Sequence, residues 1–230
     1  MHHRTLKTWI LAAGLGGASL AQAQNLLVNG SFEDGAFVNQ GNQTMSPGVG
    51  STVISGWTVI TDATAWINAG NPFGLAASDG SRFLDLTNYS AGAPFAGVSQ
   101  TFATMAGATY TLGFDLGGSN AWGRPDALIA SAAGSSAIFT TGPASATMPN
   151  NDWYHESMTF TASGPTTTLT LQGSTGFNYI GLDNVSVELL SSAGPGTPDP
   201  VPAIPEPGTW ALMVAGLAAL GFVRRRRAPA

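Results

Sequence analysis

The chain of 230 residues contains no cysteine, which removes disulfides, thiolate metal sites and cysteine nucleophiles together. Charge is scarce as well: 9 % of residues are Asp, Glu, Lys or Arg, against roughly 25 % in ordinary soluble proteins. Lysine occurs once, at Lys7, so the body of the chain has no lysine-based chemistry. Arginine is confined to Arg4, Arg82, Arg124 and the run Arg224 to Arg227. Between the two ends only Arg82 and Arg124 are basic, too few to neutralise the row of phosphates that holds a nucleic acid. Without the N-terminal His2 and His3, histidine is reduced to His155. A Ser-His-Asp arrangement then has one available base, and a zinc site built from several His or Cys is excluded by count. His155 sits in the alternating run Trp153 to Ser157 and reads as an exposed strand residue. No pair among the acids is singled out for glycoside hydrolysis, so the expectation is a chain that is not an enzyme.

What is present begins with the two ends. Arg4 and Lys7 precede an apolar run from Trp9 to Ala18, which closes on Ala21-Gln22-Ala23. The small residues Ala21 and Ala23 suit signal peptidase, so 1–23 reads as a signal helix cut after Ala23, with Gln24 starting the mature chain. The alternative is an uncut anchor, for which the apolar core is too short. At the other end, a Gly/Pro/Ser linker over 191–204 leads into Pro205-Glu206-Pro207, an apolar segment over 210–223 and Arg224-Arg225-Arg226-Arg227. At ~1.5 Å per residue that segment spans about 21 Å, short of the ~30 Å hydrocarbon core and better suited to a temporary tether. Basic residues at both ends place both in the cytoplasm, so the body is exported. Residues 205–230 resemble the PEP-CTERM sorting signal of Gram-negative bacteria. That resemblance implies transient lodging in the inner membrane, processing by an exosortase, and a final place at the cell surface or outside it. An ordinary C-terminal anchor is the plainer alternative.

The body over 24–204 carries twelve acids against two arginines, a formal charge of −10 that the basic ends conceal. Such a body disfavours anionic partners and is compatible with neutral glycans and divalent cations. Its pattern has period two: apolar residues occupy every even position of Thr109 to Leu116, and Phe83 to Thr87, Val98 to Phe102, Met158 to Thr161 and Thr167 to Leu171 behave alike. Ile180 and Leu182 share one parity while Val185, Val187 and Leu189 take the other, so Asp183-Asn184 marks a bulge. Short alternating strands separated by turn residues predict an all-β sandwich over 24–190.

Several blocks in fixed order carry a second resemblance over 25–190: Asn25 to Gly35, Gly56-Trp57-Thr58-Val59, Trp66-Ile67, Asp79 to Leu86, Gly97 to Phe102, Tyr110 to Leu116, and Gly181 to Val187. This order is similar to the choice-of-anchor C family and its plant cell-wall relatives, which resemble galactose-binding-like jelly rolls. The resemblance implies a jelly-roll β-sandwich and makes carbohydrate binding an expectation. In the matching pattern Glu33 and Asp183 lie close together, which implies one structural calcium ion held by their carboxylates and by backbone carbonyls. The alternative is that Asp183 serves the bulge and Glu33 is a solvated turn residue.

Sugar binding calls for aromatic faces with polar groups beside them. Trp57 and Trp66 read as core. Trp122 stands in a Gly-rich, loop-like segment with Asn120, Arg124 and Asp126, and this group is the expected ligand contact, with Tyr89 a second. A Trp122 folded back over a sheet edge is the alternative. Arg82 is expected to pair with a nearby acid. The resulting reading is an exported, non-catalytic protein that binds envelope glycan or exopolysaccharide. Its alternative is a structural or adhesive biofilm-matrix protein working through protein contacts.

Overall fold

A computed structural model describes residues 24–90, 92–119, 121, 125–142 and 151–192, which lie in one compact unit. The signal segment, the linker from 193 onward and the sorting segment lie outside the described residues. Eleven strands follow in order: β1 (Thr44–Met45), β2 (Thr58–Ile60), β3 (Ala65–Asn68), β4 (Arg82–Asp85), β5 (Gly97–Ala103), β6 (Thr109–Ser119), β7 (Ala127–Ala132), β8 (Ser135–Thr140), β9 (Asn151–Thr161), β10 (Thr166–Thr175) and β11 (Gly181–Ser191). They form two antiparallel sheets, six-stranded in the order β1-β3-β4-β11-β6-β9 and five-stranded in the order β2-β5-β10-β7-β8. The fold is a β-sandwich, as the alternation predicts, and of the jelly-roll kind that the resemblance implies.

The inward parity of each strand builds the core between the sheets. From β6 come Tyr110, Leu112, Phe114 and Leu116, and from β10 Leu169 and Leu171, all buried. Trp57 and Trp66 join them at 1 % and 0 % exposure, and their indole N–H groups donate to the Asn29 and Phe32 carbonyls at 2.9 Å. Both tryptophans are therefore structural. The expected bulge is present: the register between β6 and β11 shifts between Asp183 and Ser186, and Asn184 takes φ 50°. Two features depart from the sequence reading. Strand β11 runs through Ser191, one residue into the expected linker, and β7 and β8 form a hairpin that the alternation did not announce.

The six-stranded sheet also buries part of its outer face. Ala65, Ile67 and Phe83 have the opposite parity to Trp66 and Leu84, and they pack with Leu75 and Tyr179 in a second cluster covered by the chain between β3 and β4. One row crosses this face through Trp153, Gly117, Gly181, Asp85 and Ala65. A Cβ on Gly181 would lie 2.4 Å from the Tyr179 hydroxyl, and one on Gly117 2.9 Å from it. The paired glycines thus clear the space into which Tyr179 lies, and this recess is where the candidate site forms.

Candidate functional site

Next to the recess, at the β1–β3–β4 edge, is a pocket of about 360 Å³, near the lower end of the ~300–1,000 Å³ range of small-ligand sites. Phe73, Tyr89 and Tyr179 supply aromatic walls, Asn42, Asn178 and Thr44 supply polar groups, and Asp85 and Leu75 complete the lining. The Phe73 and Tyr89 rings lie 5.8 Å apart at 42°. Asn42, Tyr89 and Asn178 come from three separate loops, and all three have positive φ, at 57°, 65° and 61°. Asparagine tolerates this conformation; tyrosine adopts it at a cost of about 1–2 kcal/mol. Left-handed backbone on three sides of one pocket, strained at Tyr89, marks a site whose geometry is over-determined by its surroundings.

Asp85 provides much of that determination. It is fully buried, and its carboxylate accepts the Thr87 amide at 2.9 Å, the Thr87 hydroxyl at 2.9 Å, the Ile180 amide at 3.0 Å and the Tyr89 amide at 3.3 Å. One side chain therefore holds both the loop that carries Tyr89 and the loop that carries Asn178 and Tyr179. Burial pushes the Asp85 pKa up to about 6, against the pull of these hydrogen bonds. Burial likewise raises the Tyr89 hydroxyl pKa, while a hydrogen bond with Thr44 opposes it.

Of the residues expected to touch ligand, Tyr89 is 40 % exposed and lines the pocket. Asn120, Trp122 and Arg124 lie outside the described residues. Asp126 has 0 % exposure, so its side chain offers no surface to a ligand. The described flank of that segment ends at the same site: Ser119 pairs with Asn151, whose side-chain amide lies 3.4 Å from the Tyr179 hydroxyl. Asn42, Phe73, Asp85 and Asn178 escape the sequence reading, because residues so far apart in the chain meet only through the folding of three loops. The signal that was present is the turn-forming asparagine in Gly41-Asn42 and Phe177-Asn178.

Glu33 and Asp183, the expected calcium pair, converge on one turn. Glu33 Oε1 accepts the Ser81 and Arg82 amides at 2.7 and 2.6 Å, and Oε2 accepts the Ser81 hydroxyl at 2.7 Å. Asp183 Oδ2 accepts the Ser78 and Asp79 amides at 2.8 and 2.9 Å, and Oδ1 accepts the Asn184 amide at 2.7 Å. Amide and hydroxyl hydrogens thus engage all four of these carboxylate oxygens. This donor set fits a clamp on residues 78–82 and does not fit a hard cation. Burial pushes the Asp183 pKa up to about 7, with the Asp79 charge adding to the shift. Among the described residues the Arg82 guanidinium pairs with no carboxylate, contrary to expectation. Its guanidinium donates to the Glu33 carbonyl and lies 5.1 Å from the Phe37 ring centre and 5.4 Å from that of Trp66.

His155 is exposed, with Nδ1 2.8 Å from Asp115 Oδ1. The other Asp115 oxygen accepts the Ser78 hydroxyl, and the Asn184 side-chain amide at 3.1 Å. Ser78 therefore faces a carboxylate instead of the imidazole, and this cluster forms no serine–histidine nucleophile and base.

The fold and site define a jelly-roll β-sandwich with an aromatic, amide-lined pocket on one sheet's outer face. The chain belongs to the family described as Protein of unknown function (DUF642), which matches residues 25–179. A PEP-CTERM protein-sorting motif matches residues 203–227 and implies export to the surface or beyond. No curated protein matches the chain. Solved structures similar to it include TmCBM61 in complex with beta-1,4-galactotriose, 18 % identical over 72 % of this chain and 99 % of that one, TM-score 0.41. A family 35 carbohydrate binding module from Clostridium thermocellum is 12 % identical over 65 % of this chain and 98 % of that one, TM-score 0.39. The K1 cleaved adhesin domain of Lys-gingipain from Porphyromonas gingivalis is 15 % identical over 64 % and 98 %, TM-score 0.45.

Proposed function

We propose that the chain is an exported, exosortase-processed, non-catalytic protein of the choice-of-anchor C kind that binds neutral carbohydrate of the envelope or exopolysaccharide. In this reading signal peptidase cuts after Ala23 and residues 210–223 tether the chain in the inner membrane of a Gram-negative cell. An exosortase then releases it near Pro205-Glu206-Pro207. The observation that carries the binding is the pocket itself. The aromatic walls of Phe73 and Tyr89 suit the C–H face of a pyranose, while Asn42, Asn178 and Thr44 offer donors and acceptors to its hydroxyls. Asn120, Trp122 and Arg124 are proposed as an additional contact.

The test is calorimetric titration of the purified protein with a panel of neutral glycans and the producer's own exopolysaccharide, with calcium and then with chelator. Tyr89→Asn removes the ring while tolerating the positive φ. It is expected to weaken binding at least about tenfold with the melting temperature retained. Equal affinity and equal melting in calcium and in chelator are expected, because the loop amides already occupy Glu33 and Asp183. Binding that survives Tyr89→Asn but is lost in Trp122→Ala would move the site to residues 120–124. No binding under either condition would overturn the carbohydrate reading in favour of a structural matrix protein.

A further inference from the structure

The two sheets present four edges, and three of them are protected against pairing with another chain. Strands β1 and β2 are two and three residues long, too short to template a partner. Strand β9 is eleven residues long but carries Asp152, His155 and Glu156. Strand β8, Ser135-Ser136-Ala137-Ile138-Phe139-Thr140, has none of these devices. It holds no charge, no proline and no glycine, and it pairs with β7 through six consecutive residues without a bulge. Among the described residues, β7 is the one strand hydrogen-bonded to it; β9 comes near without pairing. Ile138 on its outer face is 65 % exposed.

The charge pattern says what this edge can meet. No strand of the five-stranded sheet contains an Asp, Glu, Lys, Arg or His, although the body carries a formal −10. Its outer face is instead crossed by a row of hydroxyls, Ser136, Ser131, Thr170, Ser99 and Thr58, one from each strand. Two acidic copies repel one another through charged surfaces and least through this one.

We propose that β8 is a docking edge for the β8 of a second copy, paired antiparallel about a two-fold axis to give a continuous ten-stranded sheet. A register centred on Ile138 preserves the faces of both sheets. It sets Ile138 against its own copy and Ser136 against Thr140 on the outside, and Ala137 against Phe139 on the inside. The exposed isoleucine is then covered by its symmetry mate. This contact is independent of the carbohydrate pocket, which lies on the other sheet.

Sedimentation equilibrium of the purified protein over a concentration series tests it, with no glycan present. A reversible dimer is expected, and Ile138→Lys is expected to weaken it at least about tenfold, since an edge lysine is the ordinary guard against such pairing. Thr101→Lys, exposed on the same face but three strands from β8, is expected to leave the dimer intact. A protein that stays monomeric at every concentration overturns the proposal. So does an Ile138→Lys variant that dimerises like its parent, or a Thr101→Lys variant that dissociates as strongly, which would point to face-to-face stacking.

Discussion

Asp85 is held by donors from two loops yet sits away from water, and the balance gives stability a definite dependence on pH. Its folded pKa of about 6 lies above the 3.8 of a free carboxyl, and that of Asp183 lies at about 7. Between the free value and the raised one, the native state binds more protons than the unfolded chain. Stability therefore rises as pH falls through that window, by up to about 1.4 kcal/mol per pH unit for each group. Urea denaturation is expected to show a gain on the order of 2–3 kcal/mol from pH 7 to pH 5. In Asp85→Asn the slope between about pH 4 and 6 should fall by about half, leaving the share that Asp183 supplies. A stability that declines over the same interval would contradict the assignment. Tyr89 was legible in the sequence because a lone aromatic in a polar turn has little core to join. Asp85 was not, because alternation from Phe83 to Thr87 shows only which face it takes. Which chain segments fold over that face is a tertiary fact.

At the scale of elements, strands that alternate large apolar with polar residues declare themselves, and β6, β10 and the parity change in β11 were all readable. The β7–β8 hairpin was not. Its inward residues include Ala130 and Ala132, and its outward ones include Ile129 and Ile138, so the contrast between the two faces is weak. Its turn is also uncharacteristic. Ala133 and Gly134 both take positive φ, at 49° and 81°, where a two-residue hairpin turn prefers Asn-Gly. Alanine carries a steric cost there that asparagine largely avoids. Ala133 is half-buried against the core, and relief of its left-handed turn position in Ala133→Asn is expected to stabilise by about 0.5 kcal/mol. A rise in thermal midpoint with unchanged association would agree; a fall would mean that the methyl packs better than the turn is strained.

For the whole molecule, the paucity of basic residues is plain from composition alone, and its consequence concerns long-range forces. The body has two arginines, and the guanidinium of Arg82 is placed between the Phe37 and Trp66 rings and the Glu33 carbonyl. Among the described residues the net charge left at the surface is thus acidic, and none of it stands on a strand of the five-stranded sheet. Two contacts are proposed for this molecule, and salt should act on them differently. A neutral glycan in the pocket feels no net Coulomb force, so its affinity is expected to stay constant as ionic strength goes from about 0.01 to 0.1 M and the screening length falls from ~30 to ~10 Å. A uronic-acid polymer should be excluded at the low end, where repulsion reaches farthest. Association through β8 brings two acidic bodies together without an opposing charge pair, so added salt should strengthen it. Affinity for neutral glycan that collapses with salt would show that unscreened charge drives the binding. Dimers that dissociate as salt rises would show the same of the interface, and neither outcome is compatible with the uncharged contacts argued from Tyr89 and Ile138.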